Sequence, residues 1–280
     1  MKYFTKKFLK KKNESTYTPR RSLELITSEN MPFGYVEAYK SLRTNLRFIT
    51  AADNVKSLVV TSALGMESKS NTSINLAITL AADQKKVIVV DGDLRKPAIH
   101  RFLNYSPHGK GLSGILTGEV KVEEAIHHLE QHHIDILPVG TVPPNPTELL
   151  SHNRMRALLK ALRDYYDYVI VDAPPVSVVT DAAIIGGMVD GALLVVRSGY
   201  APVEMVQLAK KKLEDVNVKI IGVVLSRYDT KKVGRQSGYY YSYKSYGYQR
   251  KNGYGYNYGP YEAKKEPIAP STKDSRERKA

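Results

Sequence analysis

Lys69 and Ser70, Asp91 and Asp93, and Asp172 are the residues whose types and spacing could do chemistry together. Lys-Ser lies near the end of the run Ser57-Leu58-Val59-Val60-Thr61-Ser62-Ala63-Leu64-Gly65-Met66-Glu67-Ser68-Lys69-Ser70-Asn71-Thr72. A β-branched, apolar strand there passes through a loop into a helix beginning near Ser70, the context that a phosphate-binding loop requires. Backbone N–H groups at such a helix start face an anion, and the helix dipole favours negative charge. Gly65, Ser68, Lys69, Ser70 and Asn71 are therefore the candidate nucleotide contacts. Lys69 would reach the β- and γ-phosphates, and the Ser70 hydroxyl would ligate Mg²⁺. The loop departs from the full pattern at Ser68, where Gly normally lets the backbone bend tightly against the phosphates. Gly65 is its one glycine. On this stretch alone, a strand–turn–helix connection with an exposed lysine is the alternative.

The acids lie at the ends of two further apolar runs, Val87-Ile88-Val89-Val90-Asp91-Gly92-Asp93-Leu94-Arg95 and Tyr168-Val169-Ile170-Val171-Asp172-Ala173-Pro174-Pro175. One Asp after a strand is ordinarily a helix cap or turn former. Two such strands in a chain that also carries a Lys-Ser loop point to a hard cation. Mg²⁺ takes oxygen ligands, and Ser70, Asp91 and Asp172 supply them beside phosphate oxygens. A carboxylate near the γ-phosphate could accept a proton from an attacking hydroxyl. The candidate catalytic set is Lys69, Asp91 and Asp93.

Such residues must be positioned by alternating strands and helices. Apolar runs occur at 58–61, 87–90, 134–139, 169–171, 192–196 and 220–225, with helical patterns near 70–84, 112–129, 147–165, 179–187 and 202–214. Continuous apolar runs suit strands buried on both faces. The alternation predicts an α/β fold: a doubly wound, mostly parallel sheet of P-loop NTPase type, with helices on both faces and ligands at the carboxyl ends of the strands. Before it, Val36, Tyr39, Leu42, Leu46 and Ile49 give an apolar stripe on a helix over 34–50. Its other face carries Glu37, Lys40, Arg43 and Arg47, which reads as a solvated, i,i+3-paired surface. The expected organisation is a basic leader and linker at 1–33, a domain at 34–230, and a disordered tail at 231–280.

With 280 residues, 42% of them hydrophobic, the chain can bury a sizeable core, and with no cysteine it has no disulfide framework or thiolate chemistry. Residues 1–23 carry eight Lys/Arg against one Glu, and residues 231–280 carry twelve against four acids. Of the formal +14, residues 24–230 therefore hold only −1. Basic ends on a neutral domain suit an anionic membrane surface, nucleic acid or acidic partners. No run of 18 apolar residues is present, and the start lacks a secretory h-region. The expected location is the cytoplasm, with recruitment to the inner face of the membrane. His127, His128, His132 and His133 lie far in sequence from the acids and read as a solvated helix end rather than a metal site.

Within the tail, residues 239–261 hold Tyr239, Tyr240, Tyr241, Tyr243, Tyr246, Tyr248, Tyr254, Tyr256, Tyr258 and Tyr261 among Gly, Ser and basic residues, without aliphatics or periodicity. Such a segment has no core to bury. It could stack on bases or self-associate, or offer phenolic hydroxyls as phosphate acceptors. Each phosphate adds about −1.5 to −2 charges, so roughly four or five would cancel the tail's +8.

The Lys-Ser loop, the Asp-x-Asp-x-Arg and Asp-x-Pro-Pro strand ends, the Gly140–Leu150 run and the tyrosine-rich end occur in the order seen in the bacterial tyrosine kinases (BY-kinases) of capsule and exopolysaccharide synthesis, which residues 34–261 resemble. The resemblance implies Walker A roles for Lys69 and Ser70, Walker A′ roles for Asp91 and Asp93, and a Walker B role for Asp172. It further implies ATP and Mg²⁺, with phosphorylation of the tail in trans within a ring-forming homo-oligomer. Glu37, Lys40 and Arg43 match the family's Glu-x-x-Arg-x-x-Arg oligomerisation motif, with Lys for the first Arg, which loses a bidentate contact. The expected partners are a separate transmembrane activator, as in Gram-positive members, and a tyrosine phosphatase. Where the family has Pro-Gly-x-Gly-Lys, this chain has Gly65-Met66-Glu67-Ser68-Lys69. Two left-handed non-Gly residues would cost about 2–4 kcal/mol, which leaves a catalytically weak or inactive nucleotide-binding regulator as the alternative. Ser226 stands where related ATPases often have an adenine-contacting Asn. A partitioning-type ATPase would carry Lys at position 64, which is Leu. Nucleic-acid binding rests on the tail alone and is not expected.

Overall fold

A computed structural model of the protein describes residues 25–28, 31–101 and 109–228. Helix α1 (Phe33–Asp53) precedes β1 (Ser57–Ser62), α2 (Lys69–Ala81) and β2 (Val87–Asp91). Then follow α3 (Leu112–Thr117), α4 (Val122–Ala125), β3 (His127–Leu129), β4 (Ile134–Leu137), α5 (Pro146–Ser151) and α6 (Asn153–Tyr165). The last described elements are β5 (Tyr168–Asp172), α7 (Asp181–Gly186), β6 (Gly191–Arg197), α8 (Val203–Glu214) and β7 (Ile220–Ser226). The strands form one sheet in the order β3-β4-β2-β5-β1-β6-β7. Every neighbouring pair is parallel except β3 with β4.

Strands β1, β2 and β5 are buried along their whole lengths, because helices cover both sides. On one face Leu46 of α1 and Ile74, Leu76 and Leu80 of α2 pack over Leu58, Val60, Val89 and Ile170. On the other, Leu112, Leu158, Leu162, Ile185 and Leu213 pack over Val59, Val90, Val171 and Leu194. Each such side chain contributes about 1.5–3 kcal/mol by leaving water. Helix α2, expected from the sequence to be amphipathic, is instead buried nearly all round because α1 lies over it. Leu25 and Ile26, read from sequence as linker, also pack on this layer, and the Ile26 N–H donates to Asn75 Oδ1 at 2.9 Å.

Two helical expectations are corrected. The pattern at 112–129 is broken into α3, α4 and strand β3, because Gly118 ends α3 in the left-handed region at φ 88°. A Cβ at Gly118 would also lie 2.8 Å from Arg154 Nη1. The pattern at 147–165 divides at His152, which is extended and whose Nδ1 accepts the Arg154 N–H to cap α6. His127 and His128 therefore lie in an antiparallel strand, not on a helix. His128 Nδ1 is 2.6 Å from Asp135 Oδ1, its cross-strand partner, and the Tyr166 hydroxyl donates to Asp135 Oδ2 at 2.6 Å. The leader and the tyrosine cluster (1–24 and 229–280) lie outside the described residues.

Candidate active site

Register brings the acids together. Asp91 and Asp172 are direct partners at the carboxyl ends of β2 and β5. The other neighbour of β5 is β1, whose end launches the loop into α2. Three adjacent strand tips thus meet, as parallel topology predicts. Lys69 Nζ lies 3.5 Å from Asp93 Oδ2, with both side chains largely buried, while Asp91 and Asp172 are 1% and 0% exposed. Sequence reasoning missed Gly92, although the Asp-Gly-Asp run marks it. A Cβ there would stand 2.9 Å from the Asp172 carbonyl oxygen and 2.9 Å from Val171 Cγ1. Only glycine lets the Asp91–Asp93 segment lie this close to β5, where the Gly92 N–H donates to Asp172 O at 2.8 Å.

The acids are held from behind. Asp91 accepts the Asp93 and Ile99 N–H groups, each at 3.3 Å, and Asp93 Oδ1 accepts the Lys96 N–H at 2.9 Å. The remaining Asp93 oxygen faces Lys69. Arg95 donates from Nε to Asp181 Oδ2 at 2.7 Å and from Nη2 to Thr147 Oγ1 at 2.7 Å. It thereby ties the loop after β2 to the starts of α7 and α5.

Electrostatically the site is short of positive charge. Burial, then Asp172 and Asp93, push Asp91 well above the usual carboxylate range. Burial raises Asp172 to about 6, against the opposing pull of Lys69 and a hydrogen bond from Ser70. Burial works against the Lys69 ammonium, yet Asp172, Asp93 and Asp91 together hold its pKa above the ordinary value. Asp172 Oδ2 is buried and has no hydrogen-bond partner among the described residues. An unfilled acceptor beside crowded carboxylates and the buried Ser70 hydroxyl fits a divalent cation. No group of three or more His, Cys, Asp or Glu among the described residues could hold a metal alone. Mg²⁺ does not need one, because it takes one or two carboxylates together with phosphate oxygens.

The loop carries its strain where the sequence lacks glycine. Met66 and Ser68 sit at φ 63° and 71°, in the left-handed region. Gly65 does not, and a Cβ there would meet nothing within 4 Å. Glu67, between the strained pair, is fully buried. Its Oε2 accepts the Leu64 N–H at 2.6 Å, and its Oε1 accepts the Arg197 N–H at 3.1 Å. Ser226, which stands where related ATPases often have an Asn, donates its hydroxyl to the Glu67 carbonyl at 2.8 Å. Arg227 Nε donates to Ser68 Oγ at 3.1 Å. Apart from Leu64, three residues away, the partners of Glu67 lie 130 and 159 residues distant and carry no local sequence signal.

Other candidate residues are placed differently. The Asn71 side chain turns towards α1, accepting from the Tyr35 and Tyr39 hydroxyls at 3.0 and 3.3 Å and from Asn75. Glu37 and Lys40 pair at 2.7 Å on the outer side of α1, as i,i+3 spacing predicts. The solvated-face reading fails for Arg43, which is part-buried against α2, whereas Arg47 stays exposed. Arg43 Nη1 donates to Thr79 O at 3.1 Å, and Arg47 pairs with Asp83 at 2.9 Å, both holding α1 against α2.

A buried lysine at a helix start, facing acids from two neighbouring parallel strands, defines a P-loop nucleotide-binding domain. The AAA domain family matches residues 55–219. The chain is 38% identical over 205 residues to the tyrosine-protein kinase YwqD of Bacillus subtilis, covering 73% of this chain and 85% of that one. The solved kinase domain of the Escherichia coli tyrosine kinase ETK matches with a TM-score of 0.66 and 38% identity, over 70% of this chain and 78% of the other. Against the whole E. coli etk protein the chain spans 30% of the length. MinD of Pyrococcus horikoshii complexed with Mg-ADP shares the fold at a TM-score of 0.54 and 24% identity, over 62% of this chain and 70% of that one. The chain belongs to the bacterial tyrosine kinases, and its likeness to YwqD of Bacillus subtilis fits the Gram-positive type.

Proposed function

We propose that this chain is an ATP- and Mg²⁺-dependent protein-tyrosine kinase that phosphorylates its own tyrosine cluster, Tyr239 to Tyr261, on neighbouring subunits. The observation that carries this reading is the meeting of Lys69, Asp91, Asp93 and Asp172 at adjacent strand tips. Lys69 would bind the β- and γ-phosphates, and Ser70, Asp172 and Asp91 would hold Mg²⁺. When bound, that ion would neutralise charge on the phosphate oxygens. The phenolic oxygen of a tyrosine would attack the γ-phosphorus in line, forming one P–O bond while the bond to the departing ADP breaks. The phenolic proton would pass to Asp91 or Asp93, carboxylates at the same strand tip.

Family membership supports a role in capsular or exopolysaccharide synthesis, under a separate transmembrane activator and opposed by a tyrosine phosphatase. No helix among the described residues is long and apolar enough to cross a membrane, and recruitment to the inner membrane face would rest on that partner and on the basic ends. Glu37 and Lys40 remain available for subunit contacts, whereas Arg43 would contribute through its hold on α2. The second reading, a nucleotide-binding regulator without transfer, is favoured by the strained Met66 and Ser68. Purified protein incubated with γ-labelled ATP separates the two. Label on tail tyrosines supports the kinase, and bound ATP without label supports the regulator.

A further inference from the structure

The loop that approaches the phosphates is bent at two side-chain-bearing residues, Met66 and Ser68, where an L-residue is strained. A loop under such strain relaxes unless something else fixes it. Several contacts do so here, among them the Arg197 Nη1 donation to the Met66 carbonyl at 3.4 Å. The buried Glu67 carboxylate takes the N–H groups of Leu64, at the start of the loop, and Arg197, at the end of β6. The Ser226 hydroxyl, directly opposite Arg197 on β7, holds the Glu67 carbonyl. Arg227 holds the Ser68 side chain. The loop is therefore pinned to the two strand ends on the side of β1 away from the acids.

From this we infer that Glu67 is a positioning residue, whose buried carboxylate keeps the phosphate loop in its binding shape in place of glycine's conformational freedom. A carboxylate suits the task because it has two oxygens for two N–H groups on opposite sides. Removing it leaves two part-buried donors unpaired and frees the strained residues to unwind. The shape is then set by a long-range contact and survives without glycines at 66 and 68. For its ligand the inference rests on the nucleotide reading above.

The test uses the full chain as Glu67→Ala, as Glu67→Gln, and as Glu67→Ala combined with Met66→Gly and Ser68→Gly. Amide hydrogen exchange is read at Leu64 and Arg197, and the Mg·ATP dissociation constant is measured by calorimetry. In Glu67→Ala both amides should exchange faster while those of β2 and β5 keep their protection, and the dissociation constant should rise by about tenfold or more. Glu67→Gln should expose one of the two amides. Glycines at 66 and 68 should restore affinity to within about threefold of wild type while the two amides stay fast. Unchanged amides and affinity in Glu67→Ala would overturn the inference, as would glycines that fail to rescue binding in a folded protein. If Glu67→Ala does not fold, Glu67→Gln and Ser226→Ala decide the matter, with weaker binding expected in each and unaltered binding in both counting against. Wild type that shows the exchange behaviour but takes up no Mg·ATP would sink the nucleotide reading and leave the brace standing.

Discussion

Asp172→Asn should stabilise the nucleotide-free protein while destroying its site. Asp172 is fully buried, and its pKa rises from an ordinary 3.8 to about 6. Burial is the larger cause, and Asp93 adds to it against Lys69 and Ser70. Two pH units at about 1.4 kcal/mol each put the cost of the ionised group near 3 kcal/mol. Asn has nearly the same shape and no charge, but Lys69 loses one of the acids that hold it, so a net gain of about 1–3 kcal/mol is expected. For a domain of this size that is a rise in Tm of about 2–10 °C. The pH dependence follows from the direction of the shift. The folded protein binds this proton more tightly than the unfolded chain, so the contribution is fully present below about pH 4 and is lost as pH rises through 6. The advantage of Asp172→Asn should therefore be near zero at pH 4 and level off above pH 6. Thermal melts without nucleotide from pH 4 to 8 measure it, and added Mg·ATP should raise the Tm of wild type only. A variant less stable than wild type at pH 8, or one with the same advantage at both ends of the range, would refute the reasoning.

Gly92→Ala should destabilise the fold by about 1–3 kcal/mol, because its Cβ must displace backbone as well as side-chain atoms of β5; chemical denaturation would register this. Arg95→Lys cannot span both Asp181 and Thr147, so steady-state kinetics should show kcat falling by about tenfold with the KM for ATP nearly unchanged, as the Asp93 segment loosens. Mixing Lys69→Ala chains that keep their tyrosines with wild-type domains whose ten tail tyrosines are Phe should place phosphate on the Lys69→Ala chains. Absence of label there would exclude transfer between subunits.

Much of the fold could be read from the sequence because strands buried on both faces leave unbroken apolar runs. Val87–Val90 and Val169–Val171 carry that signal, and each ends in an Asp that the register brings to the candidate site. Strand β3 could not be read, since three residues around His128 at a sheet edge give no periodicity and are fixed by pairing with β4. The helix expected over 112–129 failed because Gly118 acts as a terminator, and its neighbours alone do not reveal it. In the site, Lys69, Asp91, Asp93 and Asp172 were legible as strand-end chemistry. Glu67 was not, because its meaning depends on Arg197 and Ser226 in distant strands. Arg43 shows the reverse error: helical spacing placed it on an outer face, but its length lets it reach back to Thr79 of α2.

On the proposed function, adjacent strand tips form one phosphoryl-transfer site that serves the tyrosine tail. The most direct measurement of this is the intact mass of the protein after incubation with ATP and Mg²⁺, with peptide mapping of the sites. Wild type should acquire a ladder of phosphates confined to Tyr239–Tyr261, and neither Lys69→Ala nor Asp93→Asn should acquire any. A wild-type mass that stays unchanged while Mg·ATP is bound, or equal phosphorylation of the Lys69→Ala protein, would contradict it.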